Sequence, residues 1–316
     1  MSPQNFSESL APAVYIVGAG PGDPELLTVK AKKLIEKADV LVYANSLVPT
    51  QVFADILPDA EKIATANMTL EDILPLMIER VHARKSVVRL HSGDPSLYSA
   101  IHEQMLRLSA ANIPFEVIPG ISAFQAAAAK LHVELTIPAQ VQSIILTRIS
   151  GRTQVPPTEE LAGLAAHRTS LCLYLSARHV AAAQADLLAH YPADTPVAIC
   201  FRVGWPDEQI KVVSLKEMAA TSEADKLVRT TLYIISPALA NRAAIASTRE
   251  LTDEQPNGQQ NSGHGEHPEE VVRSRLYDPT HKHLFRPNAA QQQRSKQQPT
   301  TPSPTQLQKE QEQAKK

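Results

Sequence analysis

Three glycine-bearing turns hold the residues of this 316-residue chain whose types and spacing bear most directly on chemistry. The first, "VYIVGAGPGDPELLTVKA" (14–31), runs an apolar strand into Gly18 and Gly20, like the opening of a dinucleotide site. The third glycine of that pattern is absent. Asp23 stands in its place, and Pro21 and Pro24 remove two backbone N–H donors. The second turn, "RLHSGDPSLY", contains Gly93, Asp94 and Pro95; the third, "VIPGISAF", contains Gly120 and Ser122. Aspartate followed by proline is a helix start, an N-cap acceptor and then the residue favoured at the first helical position. Helices are therefore expected from Pro24 and from Pro95, and Ser122 is expected to cap a third. Asp23 and Asp94 put negative charge where a pyrophosphate would sit at a helix N-terminus. No G-x-x-x-x-G-K-[ST] occurs, and the second strand ends in "YANSLV", without the acidic ribose ligand of a nicotinamide site. A nucleoside cofactor without phosphates, such as S-adenosylmethionine, fits these turns better.

The elements that must position the turns alternate in a βαβ pattern over 14–135. "VYIVGA" leads to a helix over 24–37 and "DVLVYA" to one near 49–57; "SVVRLHS" leads to 95–110 and "PFEVIPG" to 122–132. That alternation predicts a parallel, helix-covered sheet, with all three turns at its C-terminal edge, where open α/β sheets bind ligands. A connection is expected at 136–142, "TIPAQVQ". A second α/β domain follows over 143–241, with strands in "SIILTR", "TSLCLYLS", "PVAICFRV", "QIKVVSL" and "TTLYIIS" and an alanine-rich helix at 177–190. The short link "GWPDE" between two of these strands predicts a mixed sheet. Residues 1–13 are expected to be flexible. The tail, 242–316, has twelve glutamines between 255 and 313 and few apolar residues, so it is expected to be largely disordered. One segment of it, 274–287, with Leu276, Tyr277, Leu284 and Phe285, is a candidate docking element, and His281 and His283 within it read as exposed polar residues.

Composition narrows the function classes. A net charge of −2 argues against a general nucleic-acid or membrane-surface partner, and no stretch is long and apolar enough for a membrane span. The N-terminus lacks a basic start followed by an apolar run, so no signal peptide is expected. Cys172 and Cys200 lie in apolar runs without ligand spacing and read as buried thiols of a cytoplasmic protein, and no metal site is expected.

The segments "VGAGPGDPELLTVKA", "YANSLV", "ANMTLEDI", "VRLHSGDPSLY", "VIPGISAFQAAAA", "LTIP", "ILTRISGRT" and "FRVGWPDEQI" occur in unbroken order. Together they resemble the tetrapyrrole (corrin/porphyrin) methylase family over residues 14–240, and "SLV", "MTLE" and "GWPDE" resemble its C-11 subgroup. Asn45 departs from the acidic or small residue associated with that subgroup. The resemblance implies a homodimer of two α/β domains with a cleft between them, and S-adenosylmethionine-dependent methylation of precorrin-4 or cobalt-precorrin-4 at C-11 in cobalamin synthesis. It also implies a donor pocket built from Pro21, Gly93, Asp94, Leu97, Ser122 and Ala123, completed by Tyr174, Leu175, Val203, Thr230 and Thr231.

A precorrin carries many carboxylates, which call for forked cationic donors. Arg148, Arg152, Arg178 and Arg202 are candidates, as is Arg89 within a strand, and Trp205 offers a flat surface to a macrocycle. Asp94 is a candidate for orienting the donor. His91 and Tyr98 flank it as candidate proton carriers, or simply as neighbours of a capped turn. Methyl transfer is an in-line displacement in which orientation supplies most of the acceleration, so no nucleophile is expected. The alternatives are another family member (a uroporphyrinogen-III, precorrin-2 or other precorrin methylase), a nicotinamide-dependent reductase, or a non-catalytic binding module.

Overall fold

The structure, a computed structural model, describes residues 9–151 and 153–241. Expectations for Arg152, residues 1–8, the tail and its segment 274–287 lie outside the described residues.

Strands β1 (Val14–Gly18), β2 (Val40–Tyr43), β3 (Glu61–Ala64), β4 (Val87–His91) and β5 (Phe115–Ile118) form a sheet in the order β3-β2-β4-β1-β5. Every pair in it is parallel. The period-two alternation divides its side chains between two cores. Tyr15, Val17, Leu41, Val88 and Leu90 pack with Ala31, Leu34 and Ile35 of α1 (Val29–Lys37). Val14, Ile16, Val40, Val42 and Val87 pack with α2 (Leu70–His82) and α3 (Ile101–Ala110). Register then fixes the turns. Gly18 lies opposite His91, and Val17 opposite Ile118, so the chains leaving β1, β4 and β5 emerge side by side.

The second sheet contains β6 (Ile144–Arg148), β7 (Ser170–Tyr174), β8 (Pro196–Phe201), β9 (Gln209–Ser214) and β10 (Thr231–Ile235), in the order β6-β7-β10-β8-β9. Only β6 and β7 run parallel, so the sheet is mixed, as expected. One face packs on α5 (Leu161–Ala165), α6 (Val180–Leu188) and α7 (Met218–Ala224) through Leu171, Leu173, Val197, Ile199, Tyr233 and Ile235. Against the other face lies a helix from the first half of the chain, α4 (Ala123–Leu131). Its Ala126, Ala127 and Leu131 pack on Cys172, Ala198, Cys200, Leu232 and Ile234. Each large apolar side chain buried this way contributes roughly 1.5–3 kcal/mol, so α4 ties the two sheets together.

Several local expectations are corrected. The helix expected over 24–37 is broken: Asp23 caps a single 3-10 turn, Pro24–Leu26, and Thr28 caps α1 by accepting from Ala31 N at 3.1 Å. The helix expected from Pro95 begins at Ile101, after a turn in which Tyr98 and Ala100 have φ of 56° and 51°. Asp94 therefore caps no helix. The region near 49–57 contains only the 3-10 turn Thr50–Phe53. At 177–190, a 3-10 turn (Ala177–His179) precedes α6. Ser122 does cap α4, in a capping box with Gln125.

Candidate active site

The three turns are stitched to one another by their backbones. Gly20 N donates to Gly93 O at 3.2 Å, and Gly93 N donates to Gly20 O at 2.7 Å. Gly120 N donates to Asp94 Oδ2 at 2.8 Å. The other oxygen, Oδ1, accepts from Ser96 N at 2.8 Å and from the Ser96 hydroxyl. A Cβ on Gly120 would lie 2.2 Å from Gly93 O and 2.9 Å from Gly18 Cα, so this approach admits only glycine. Amides that a dinucleotide site turns toward phosphate are spent here between loops. Asp94 is accordingly a positioning residue: its carboxylate clamps the second turn to the third.

Above these turns opens a cavity of about 830 Å³. From the first turns it is lined by Pro21, Gly93, Asp94, Leu97, Ser122 and Ala123. From the second sheet and its loops come Tyr174, Leu175, Val203, Thr230 and Thr231. The structure thus brings together every described residue expected to form the donor pocket. Tyr174 joins the halves: its hydroxyl lies 2.9 Å from Ser122 Oγ and accepts from Phe124 N at 3.2 Å. Its ring meets that of Tyr98 at 5.4 Å between centroids.

The arginines divide. All of Arg148, Arg178 and Arg202 line the cavity. The Arg148 guanidinium donates to the carbonyls of Thr153 and Gln154, each at 2.9 Å, which makes it a brace for its own loop. Arg202 pairs with Asp207 and stacks over Trp205 with its guanidinium carbon 4.9 Å from the ring centroid. Trp205 in turn fills the space beside Gly22, where a Cβ would come within 2.5 Å of its Cδ1. Both residues are thus engaged in joining the second-domain turn to the first glycine loop. Gln51 Nε2 reinforces that junction, donating to Gly22 O at 2.8 Å and Gly204 O at 3.3 Å. Arg178 is exposed and carries no ion pair among the described residues.

Arg89, a candidate for the substrate carboxylates, and His91 stand two apart on β4, on the face of Val87, and both line the cavity. The sequence reading missed Thr65, whose hydroxyl receives Arg89 Nη1. Ala44, Leu47, Gly151 and His179 also line the cavity, and nothing in their residue types marks them.

Burial, with the neighbouring positive Arg89, pushes His91 down to about 3. The imidazole is neutral throughout the physiological range, which removes it as a cationic acid and leaves it a polar wall. Its folded value lies below the unfolded one near 6.5, so its contribution to stability is complete above that value and declines as pH falls toward 3. An NMR titration should show no His91 transition between about pH 5 and 8; a midpoint near 6.5 would contradict the burial argument. Tyr98 and Tyr174 are both raised by burial, Tyr174 to about 12, so both phenols keep their protons at neutral pH. Burial also lifts Cys172 and Cys200 to about 12, and neither is a thiolate nucleophile.

Residues 13–219 match the family model for Tetrapyrrole (Corrin/Porphyrin) Methylases. The chain belongs to the tetrapyrrole methylases. Among curated relatives of this methylase, a cobalt-precorrin-4 C(11)-methyltransferase of Methanocaldococcus jannaschii is 44% identical over 72% of the chain and 88% of its own length. A precorrin-4 C(11)-methyltransferase of Pseudomonas aeruginosa is 38% identical over 87% of the chain and 98% of its own. The X-ray structure of a cobalt precorrin-4 methyltransferase superposes with a TM-score of 0.70 at 40% identity, over 72% of this chain and 96% of that one. A uroporphyrin-III C-methyl transferase from Thermus thermophilus, solved with S-adenosyl homocysteine, gives a TM-score of 0.61 at 28% identity, over 72% and 99%. Among the described residues of this methylase, no helix is long and apolar enough to cross a membrane.

Proposed function

We propose that the chain transfers a methyl group from S-adenosylmethionine to C-11 of precorrin-4 or its cobalt form. The observation that carries this reading is the cavity, which gathers the described donor-pocket residues and Arg148, Arg178 and Arg202 around loops whose glycine N–H groups are already spent, Gly20 and Gly93 on each other's carbonyls and Gly120 on Asp94. Such a floor suits a nucleoside that brings no phosphates. When bound, S-adenosylmethionine supplies an electrophilic methyl on its sulfonium. Pro21, Gly93, Leu97, Ser122 and Ala123 hold the donor from one side, and Tyr174, Leu175, Val203, Thr230 and Thr231 from the other. The hydroxyl of Thr230 is suited to this, because its buried Oγ1 has no partner among the described residues. Arg178, exposed and without an ion pair among the described residues, is free to meet a substrate carboxylate, with Arg148 and Arg202 holding the rim in shape and Trp205 forming a wall. The accompanying proposals are a homodimer and a cytoplasmic location.

Thermal unfolding tests the donor assignment. S-adenosylhomocysteine at a hundred times its dissociation constant should stabilise the fold by about 2.7 kcal/mol, while NAD and ATP give no comparable shift. A shift with NAD and none with S-adenosylhomocysteine would overturn the reading in favour of a reductase.

A further inference from the structure

The floor of the cavity holds a charge that methyl transfer itself does not use. Arg89, in the middle of β4, is only 8% exposed and lines the cavity. Its guanidinium makes one hydrogen bond among the described residues, from Nη1 to Thr65 Oγ1 at 2.9 Å. Nε is buried without a partner, and no carboxylate forms an ion pair with the group among the described residues. His91, two residues along on the same strand face, is also 8% exposed, lines the cavity, and has an unpartnered Nε2. Burial lowers Arg89 to about 10, which still leaves it charged at neutral pH.

A buried guanidinium without a counter-charge is costly, and native proteins leave few such groups unexplained. A ligand anion removes the cost. With Nη1 committed to Thr65, the edge formed by Nε and Nη2 remains, and its two parallel donors match the two oxygens of a carboxylate. His91, neutral beside it, can donate one further hydrogen bond through Nε2 in the tautomer that protonates that atom.

We propose that Arg89, held by Thr65 and flanked by His91, forms a carboxylate subsite in the floor of the cavity. The proposal rests on the methyltransferase reading, which brings two carboxylate sources into the cavity: the amino-acid arm of the donor and the side chains of the tetrapyrrole.

The test compares wild type with Arg89→Met and Arg89→Lys. Calorimetry measures affinity for S-adenosylhomocysteine and for methylthioadenosine, the same nucleoside sulfide without the amino-acid arm. Steady-state kinetics give KM for precorrin-4, and apo melting temperatures are recorded for all three proteins. If the donor's carboxylate occupies the subsite, Arg89→Met weakens S-adenosylhomocysteine at least tenfold and leaves methylthioadenosine unchanged. If a ring carboxylate occupies it, both affinities hold and KM for the tetrapyrrole rises at least tenfold. Arg89→Lys, which keeps charge but loses the fork, should lie between; it carries the comparison alone if Arg89→Met does not fold. The apo melting temperature of Arg89→Met should equal or exceed that of wild type, because an unpaired buried charge has been removed. Constants within twofold of wild type in both variants overturn the subsite and leave the methyltransferase reading standing. So does a lower melting temperature with equal loss for both nucleosides, which is the mark of a structural arginine. A wild-type protein that neither binds S-adenosylhomocysteine nor methylates precorrin-4 overturns both.

Discussion

Gly120→Ala should be the most damaging single methyl group that can be added to this protein. The new Cβ would sit 2.2 Å from Gly93 O, and the atoms it meets are all backbone: the Gly93 carbonyl, Gly18 Cα and Gly18 C. No side chain can rotate away. The Gly93 carbonyl is itself fixed by the bond from Gly20 N. Relief therefore requires the three turns to separate, and they line the cavity. The expected cost is about 3 kcal/mol, the upper end of overpacking penalties. In a chain of this size that is a fall in melting temperature on the order of 10 °C. Binding of S-adenosylhomocysteine should be lost in the same variant even below its melting transition. Gly163→Ala supplies a control of opposite sign. Gly163 lies inside α5, where an added Cβ would meet nothing within 4 Å, so alanine there should stabilise by up to about 1 kcal/mol. Equal melting temperatures for the two variants would show that the turns are not packed as described.

Asp94→Asn should be nearly as harmful to the site, although it changes a single atom. Both carboxylate oxygens receive donors, Gly120 N on one and Ser96 on the other. An asparagine must turn its NH2 toward one of them, setting donor against donor at a cost of about 1–3 kcal/mol. Asp23→Asn is the matched comparison. Asp23 receives only Glu25 N, at 2.9 Å, so an amide oxygen replaces it with little loss. Burial works to raise Asp94, but the hydrogen bonds from Ser96 and Gly120 outweigh it, and the net direction is down. The sign follows by linkage. A depressed carboxylate contributes stability that is complete above its unfolded value of 3.8 and is lost as pH falls through the lower folded value. The Asn variant should therefore start less stable at pH 7 and lose less on acidification, which parallel unfolding curves at pH 7 and pH 3 would reveal. Identical acid limbs, or wild-type affinity for S-adenosylhomocysteine, would remove Asp94 from the clamp.

How far the sequence could be read depended on how local each signal was. The strands β1 and β2 are contiguous apolar runs, β4 and β5 are β-rich runs interrupted by Arg89, His91 and Glu116, and the alternation with helices was enough to make that sheet parallel. β3 is "EKIA", an edge strand that opens on two adjacent charged residues, and carries no β-rich run to mark it. The helix α2 contains Pro75, which reads as a breaker, although Thr69 and Asp72 form a capping box ahead of it. Asp-Pro correctly marked two turns but overstated the helices beyond them, because a capped turn needs only two or three residues to satisfy the aspartate. The donor-pocket residues came together because each sits in a turn at one sheet edge or at the facing ends of the second sheet. What no local pattern shows is partnership across the chain. That Arg148 and Arg202 are occupied by Thr153, Gln154 and Asp207 while Arg89 has only Thr65 depends on folded contacts.

Product structure decides whether methyl transfer by this protein is regiospecific. Purified protein should be incubated with S-adenosylmethionine and either precorrin-4 or cobalt-precorrin-4, and the products read by mass and by NMR with a labelled donor methyl. One added methyl, at C-11, is expected on at least one of the two substrates. A methyl at another ring position, or no transfer to either substrate by protein that binds S-adenosylhomocysteine, would contradict it.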